Sequence, residues 1–112
     1  MDHSSERLAQ ARFEAATGTS FEILDANGVV ALVLRLFEVT PRVAPKGFEQ
    51  YSALFRGPES PLLPQATYAM RHPAIGELPL FIVPVSRGAD GVVYEACVSR
   101  RATPADGEPS GA

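Results

Sequence analysis

The chain contains no tryptophan and a single cysteine, Cys97. One cysteine excludes an intrachain disulfide and any cysteine-cluster zinc site. Only two histidines are present, His3 and His72. Neither has a carboxylate at helical i, i+4 spacing, so the pattern predicts no metal site. Basic residues are few and dispersed: 10 Lys and Arg stand against 13 Asp and Glu, for a net charge of -3, and Arg100-Arg101 is the only basic pair. Nucleic-acid binding needs a basic patch against the phosphates, so nucleic acid is not an expected partner. The longest apolar run, residues 29–34, is far too short to span a bilayer, and no membrane insertion is expected. The first residues, M-D-H-S-S-E, lack the charged-then-apolar pattern of a signal peptide. The expected location is the cytoplasm, and carriage inside an exported particle is compatible with it. The chain also lacks G-x-G-x-x-G, P-loop, H-E-x-x-H, G-x-S-x-G and EF-hand patterns. No catalytic or cofactor-binding residue is therefore expected, and the reading favours a non-enzyme without cofactor.

Proline and glycine are plentiful, 10 and 9 in 112 residues, and favour short elements joined by tight turns. With 46% hydrophobic and 21% charged residues the balance is that of an ordinary globular domain. The length suits one domain with a real core. Residues 5–100 are expected to form it, with 1–4 and 102–112 as flexible tails. The second tail is mostly Pro, Gly, Ser, Asp and Ala and cannot bury enough to offset its ordering entropy.

Residues 6–16 hold good helix formers and no Pro or Gly, with Ala9, Phe13 and Ala16 at helical spacing; Ser4 or Ser5 is placed to cap them and Gly18 to stop them. The period then changes from helical to alternating. Residues 20–25 place Phe21 and Ile23 on one face, and Asn27-Gly28 is a strong hairpin signal. Residues 29–40 form a long strand with Val30, Leu32, Leu34 and Leu36 on one face. Val29, Ala31, Val33, Arg35, Phe37 and Val39 lie on the other, so both faces are mostly apolar. Residues 48–56, 67–72, 78–85 and 92–100 complete the set, with Tyr51, Ala53 and Phe55, then Val92, Tyr94, Ala96 and Val98, as inward faces. Pro79 and Pro84 suggest that the fifth strand is an edge or is bulged. About six strands with hairpin signals predict a mainly β fold: a small antiparallel barrel or sandwich with one short N-terminal helix.

The stretch 48–85 holds the most distinctive pattern. Leu54-Phe55-Arg56-Gly57-Pro58, Leu63, Gln65, Thr67-Tyr68, His72-Pro73, Gly76, Leu80-Phe81-Ile82-Val83-Pro84-Val85 and Tyr94-Glu95-Ala96 together resemble an uncharacterised bacterial family of small single-domain proteins. Phe13-Glu14, Gly18 and Phe21 extend the likeness to residues 8–99, and Ala66 stands where glycine would be expected. The resemblance implies no catalytic residues. It suggests a place beside phage-tail-like fibre proteins.

Arg56 can grip an anion or a partner's carboxylate by its planar fork, clamp the following loop, or pair with Glu95. His72 is held extended by the proline after it and shares a face with Tyr68 and Met70; a histidine satisfied at a strand end is the favoured reading. Cys97 shares its face with Glu95, whose charge opposes a reactive thiolate. Glu77 and Glu95 read as surface charge rather than as an acid–base pair. The two-faced apolarity of residues 29–39 and 78–85 is the informative anomaly, because spare apolar faces mark interaction surfaces. The leading expectation is a non-enzymatic module that self-associates or docks to another protein through Leu34 or Ile82, whichever faces outward. The alternative is a small-molecule-binding barrel or minor enzyme with Arg56, Tyr68 and His72 at its mouth.

Overall fold

Turn chemistry sets six strands around a ring. The computed structural model describes residues 8–44 and 47–101. The expected tails and the serine caps lie outside these residues. The elements are helix α1 (Gln10–Ala15) and strands β1 (Ser20–Leu24), β2 (Val30–Val39), β3 (Phe48–Gly57), β4 (Ala66–His72), β5 (Gly76–Gly88) and β6 (Gly91–Arg101). All strand pairs are antiparallel, and the order β1-β2-β3-β6-β5-β4 closes into a barrel. The expected choice between barrel and sandwich is settled as a barrel.

Asp25 builds the first hairpin turn. Its Oδ1 accepts from the backbone N–H of Asn27 at 2.8 Å and of Val29 at 3.0 Å, while Gly28 takes a positive φ of 79°. That is the three-residue hairpin chemistry in which glycine absorbs the left-handed step. Gly91 closes the β5–β6 hairpin at φ 109°, and a side chain there would run into the carbonyl oxygen of Gly57.

Strand alternation then fills the barrel. Phe21, Leu34, Leu36, Ala53, Phe55, Met70, Ile82, Val92 and Tyr94 point inward and are fully buried. Phe21 meets Phe55 edge-on at 5.2 Å between ring centroids. Helix α1 closes one end: its Phe13 stacks on Phe21 at 5.8 Å and leans on Tyr51 at 6.0 Å. The loop between β3 and β4, with a cis Ser60–Pro61 bond, is pinned near the other end by Leu63 N–H donating to the Tyr94 hydroxyl at 2.9 Å.

Two irregularities depart from simple alternation. A bulge in β2 between Leu36 and Glu38 leaves Phe37 and Glu38 both outward and returns Val39 to the inside, opposite Ala53. The expected grouping of Val39 with Phe37 fails because an extra residue shifts the phase. β5 is not an edge. Its first half pairs with β4 from Gly76 to Ile82, its second half pairs with β6 from Val83 to Gly88, and a bulge lies between Pro84 and Ser86.

Candidate functional site

Ring order decides which expected site residues can meet. Arg56 lies on β3 and Tyr68 and His72 on β4, and these strands stand three places apart in a ring of six. Arg56 points outward, with its guanidinium carbon 4.8 Å above the centre of the Phe37 ring; it neither clamps the loop nor pairs with Glu95. Tyr68 donates to the Pro64 carbonyl at 2.6 Å, and burial raises its pKa above the ordinary phenol value. His72 is buried beside Phe21, ring centroids 4.5 Å apart. Its Nδ1 accepts from the backbone N–H of Ala74 at 3.0 Å and of Ile75 at 3.3 Å. A nitrogen that accepts two backbone bonds carries no proton, so Nε2–H donates to Thr19 Oγ1 at 2.8 Å. Thr19 in turn donates to the Ala16 carbonyl at 2.6 Å, and burial lowers the pKa of His72 below the usual 6.5. The ring is a neutral post between α1, β1 and the β4–β5 turn. The structure does not bring the three residues together.

Leu34 and Ile82 both face inward and are fully buried. They belong to the core and are out of a partner's reach, which corrects their expected role in a contact surface. Alternation puts their neighbours outside instead. Val33 is 46% exposed, Phe81 51%, Val85 50% and, at the first hairpin, Val29 60%.

A polar constellation that the strand pattern only half revealed lies at the helix end of the barrel. Glu49 is 3% exposed and holds two arginines, Arg100 Nε at 2.7 Å on Oε1 and Arg42 Nε at 2.7 Å on Oε2. Its Oε1 also accepts the Gln10 backbone N–H at 3.2 Å. The first turn of α1 has no side-chain cap of its own, so this carboxylate supplies one from another element. Gln10 Nε2 donates to the Thr40 carbonyl at 3.2 Å, and the Tyr51 hydroxyl donates to the Leu8 carbonyl. Burial first, then the nearby Glu49 charge, raises the Tyr51 pKa far above the ordinary phenol value. The phase of β3 carried the signal, since Glu49 continues the inward series Tyr51, Ala53, Phe55. Arg100 likewise continues Tyr94, Ala96, Val98.

The outer wall of β3 and β6 carries the remaining chemistry. Ser52 Oγ donates to Glu95 Oε2 at 2.7 Å, and Cys97 Sγ donates to the same oxygen at 3.4 Å. They border an open groove of about 480 Å³ between this wall and the segment at Thr40, Pro41 and Val43. A carboxylate beside the sulfur is the reverse of the positive surroundings in which cysteines act as nucleophiles. A second groove, about 410 Å³, is lined by Ser20, Glu22, Val33, Arg71 and Pro73, with Arg71 Nε 2.8 Å from Glu22 Oε1. Among the described residues no three His, Cys, Asp or Glu side chains converge as metal ligands, and no helix is long and apolar enough to cross a membrane.

A family model described as a domain of unknown function, DUF6916, matches residues 8–98. The chain belongs to this family. The match spans the helix, all of β1 to β5 and β6 as far as Val98, so the family pattern coincides with the barrel. No curated protein and no solved structure matches the chain.

Proposed function

We propose that this member of the DUF6916 family is a non-enzymatic interaction module that works through the outer faces of its strands, as an accessory of a surface or phage-tail-like fibre assembly. One observation carries the reading. The barrel interior is filled by aromatic and aliphatic side chains, yet large apolar side chains also stand on the outer wall, Val33 on β2 and Phe81 and Val85 on β5. Phe81 and Val85 stand together on β5, whereas Val33 lies three places away around the ring. Core packing gives none of them a role, and exposed apolar side chains close together favour association. The polar groups with the strongest chemistry are already committed: His72 to backbone donors, Glu49 to two arginines, Glu95 to Ser52 and Cys97.

The test compares native mass in solution, and capture of fibre components from the source cell, for the wild type and for Val33→Asp and Phe81→Ser. Both variants are expected to melt like the wild type, and the one on the contact side of the ring to lose association. Variants that stay folded and associate as the wild type does would sink the reading.

A further inference from the structure

Register places four charges on one wall in two parallel rows. Arg35 on β2 stands opposite Arg56 on β3, and Arg56 stands opposite Val93 on β6. Two residues along β3 the sign reverses: Glu38 on β2 and Glu95 on β6 flank Leu54. The β2 bulge makes this possible, because it turns Glu38 outward beside Phe37. Neighbouring strands lie about 4.8 Å apart and two residues along a strand span about 7 Å, so the basic and acidic rows run side by side.

The basic row is unfavourable on its own. Like charges directly opposite one another on neighbouring strands are destabilising. The rows do not neutralise each other within the chain. Arg56 sits over Phe37, and Glu95 is taken by the Ser52 hydroxyl and the Cys97 thiol. Arg35 and Glu38 are exposed and form no ion pair among the described residues. Between the charges, Leu54 and Val93 are only half-buried. A small anion drawn to Arg35 and Arg56 would also meet the acidic row, so the wall is poorly suited to one. It suits a surface with the same two rows in opposite order.

We propose that the wall formed by β2, β3 and β6 pairs with the same wall of a second copy of this chain. A half-turn about an axis lying in the wall, between the rows and parallel to them, sets each basic row on the other copy's acidic row. Every contact then occurs twice, as in an isologous dimer. Arg56, on the central strand, faces Leu54 of the second copy with Glu38 and Glu95 on either side of it. The barrel is convex, so three strands are a reasonable width for such a contact. This inference rests on the reading that the chain associates, names the partner, and places the contact on the β2 side of the ring, away from Phe81 and Val85 on β5.

The experiment is sedimentation equilibrium of the full chain over a wide range of concentrations, at low and high salt. The wild type is expected to form a dimer whose affinity falls roughly tenfold or more at high salt, because the pairs at its rim are screened. Reversing one row, Arg35→Glu with Arg56→Glu, makes the wall wholly acidic; Glu38→Arg with Glu95→Arg makes it wholly basic. Each variant alone is expected to be a folded monomer by circular dichroism and thermal melting, and an equimolar mixture is expected to restore a one-to-one pair. Arg35→Glu alone, at an exposed position, serves if a double variant does not fold, and it should weaken the dimer strongly. A wild type that stays monomeric, or a mixture of folded variants that does, overturns the proposal. Row-reversed variants that still self-associate while Phe81→Ser does not would overturn this wall and leave association through the apolar side chains standing.

Discussion

At the scale of single residues, His72 and Glu49 show two ways of keeping a polar group inside an apolar barrel. His72 is neutral and satisfied by two backbone donors and Thr19. Its folded-state pKa lies below the 6.5 of the unfolded chain. The unfolded state therefore binds the extra proton first, and stability falls as pH drops below about 6.5. Above that value the contribution is complete. Thermal melting from pH 7 down to pH 5 is expected to show the loss, and His72→Gln should flatten that part of the profile. Glu49 is held between Arg100 and Arg42. Taking away one partner of a buried pair leaves the others uncompensated, so Glu49→Gln should cost about 3 kcal/mol in urea unfolding. Gly91→Ala combines a positive φ with a clash against the Gly57 carbonyl and should cost about 2 kcal/mol or more by the same measurement.

At the scale of elements, alternation made most of the barrel legible. The six strands lie within two or three residues of their expected bounds because each gap holds, or is flanked by, Gly, Pro or an Asx turn that stops a ladder. The inward faces of β3 and β6 follow the expected phase of Tyr51 and Tyr94. What alternation could not supply was where the phase slips. The β2 bulge exchanges the faces beyond Leu36, and no glycine or proline marks it. Nor could the sequence say which apolar face of β2 and β5 was the inner one, since both were rich in Val, Leu and Phe. Closure of the ring decides it, putting Leu34 and Ile82 inside and Val33 and Phe81 outside. Leu34→Asp or Ile82→Asp is therefore expected to abolish folding, since it buries a carboxylate with no partner. Val33→Asp should leave the melting temperature within a few degrees of the wild type; near-ultraviolet circular dichroism and melting curves separate the two cases. The candidate site was less legible than the fold. Arg56, Tyr68 and His72 share a distinctive stretch, but strand order sets β3 and β4 on opposite sides of the ring.

At the scale of the whole molecule, the helix and barrel share one core, with Phe13 packed on Phe21 and Tyr51. Removing that plug, Phe13→Ala, is expected to cost about 3–5 kcal/mol, with far- and near-ultraviolet signals still lost in one coincident transition. The carboxylate that caps α1 also sets an order of events. Gln10 reaches Glu49 across 39 residues, and Glu49 reaches Arg100 across another 51. During synthesis the helix emerges first, but the completed clasp at its start must wait for almost the last residue of the last strand. A chain halted on the ribosome before Arg100 has emerged is thus expected to remain protease-sensitive at α1 and to become resistant once that residue clears the exit tunnel.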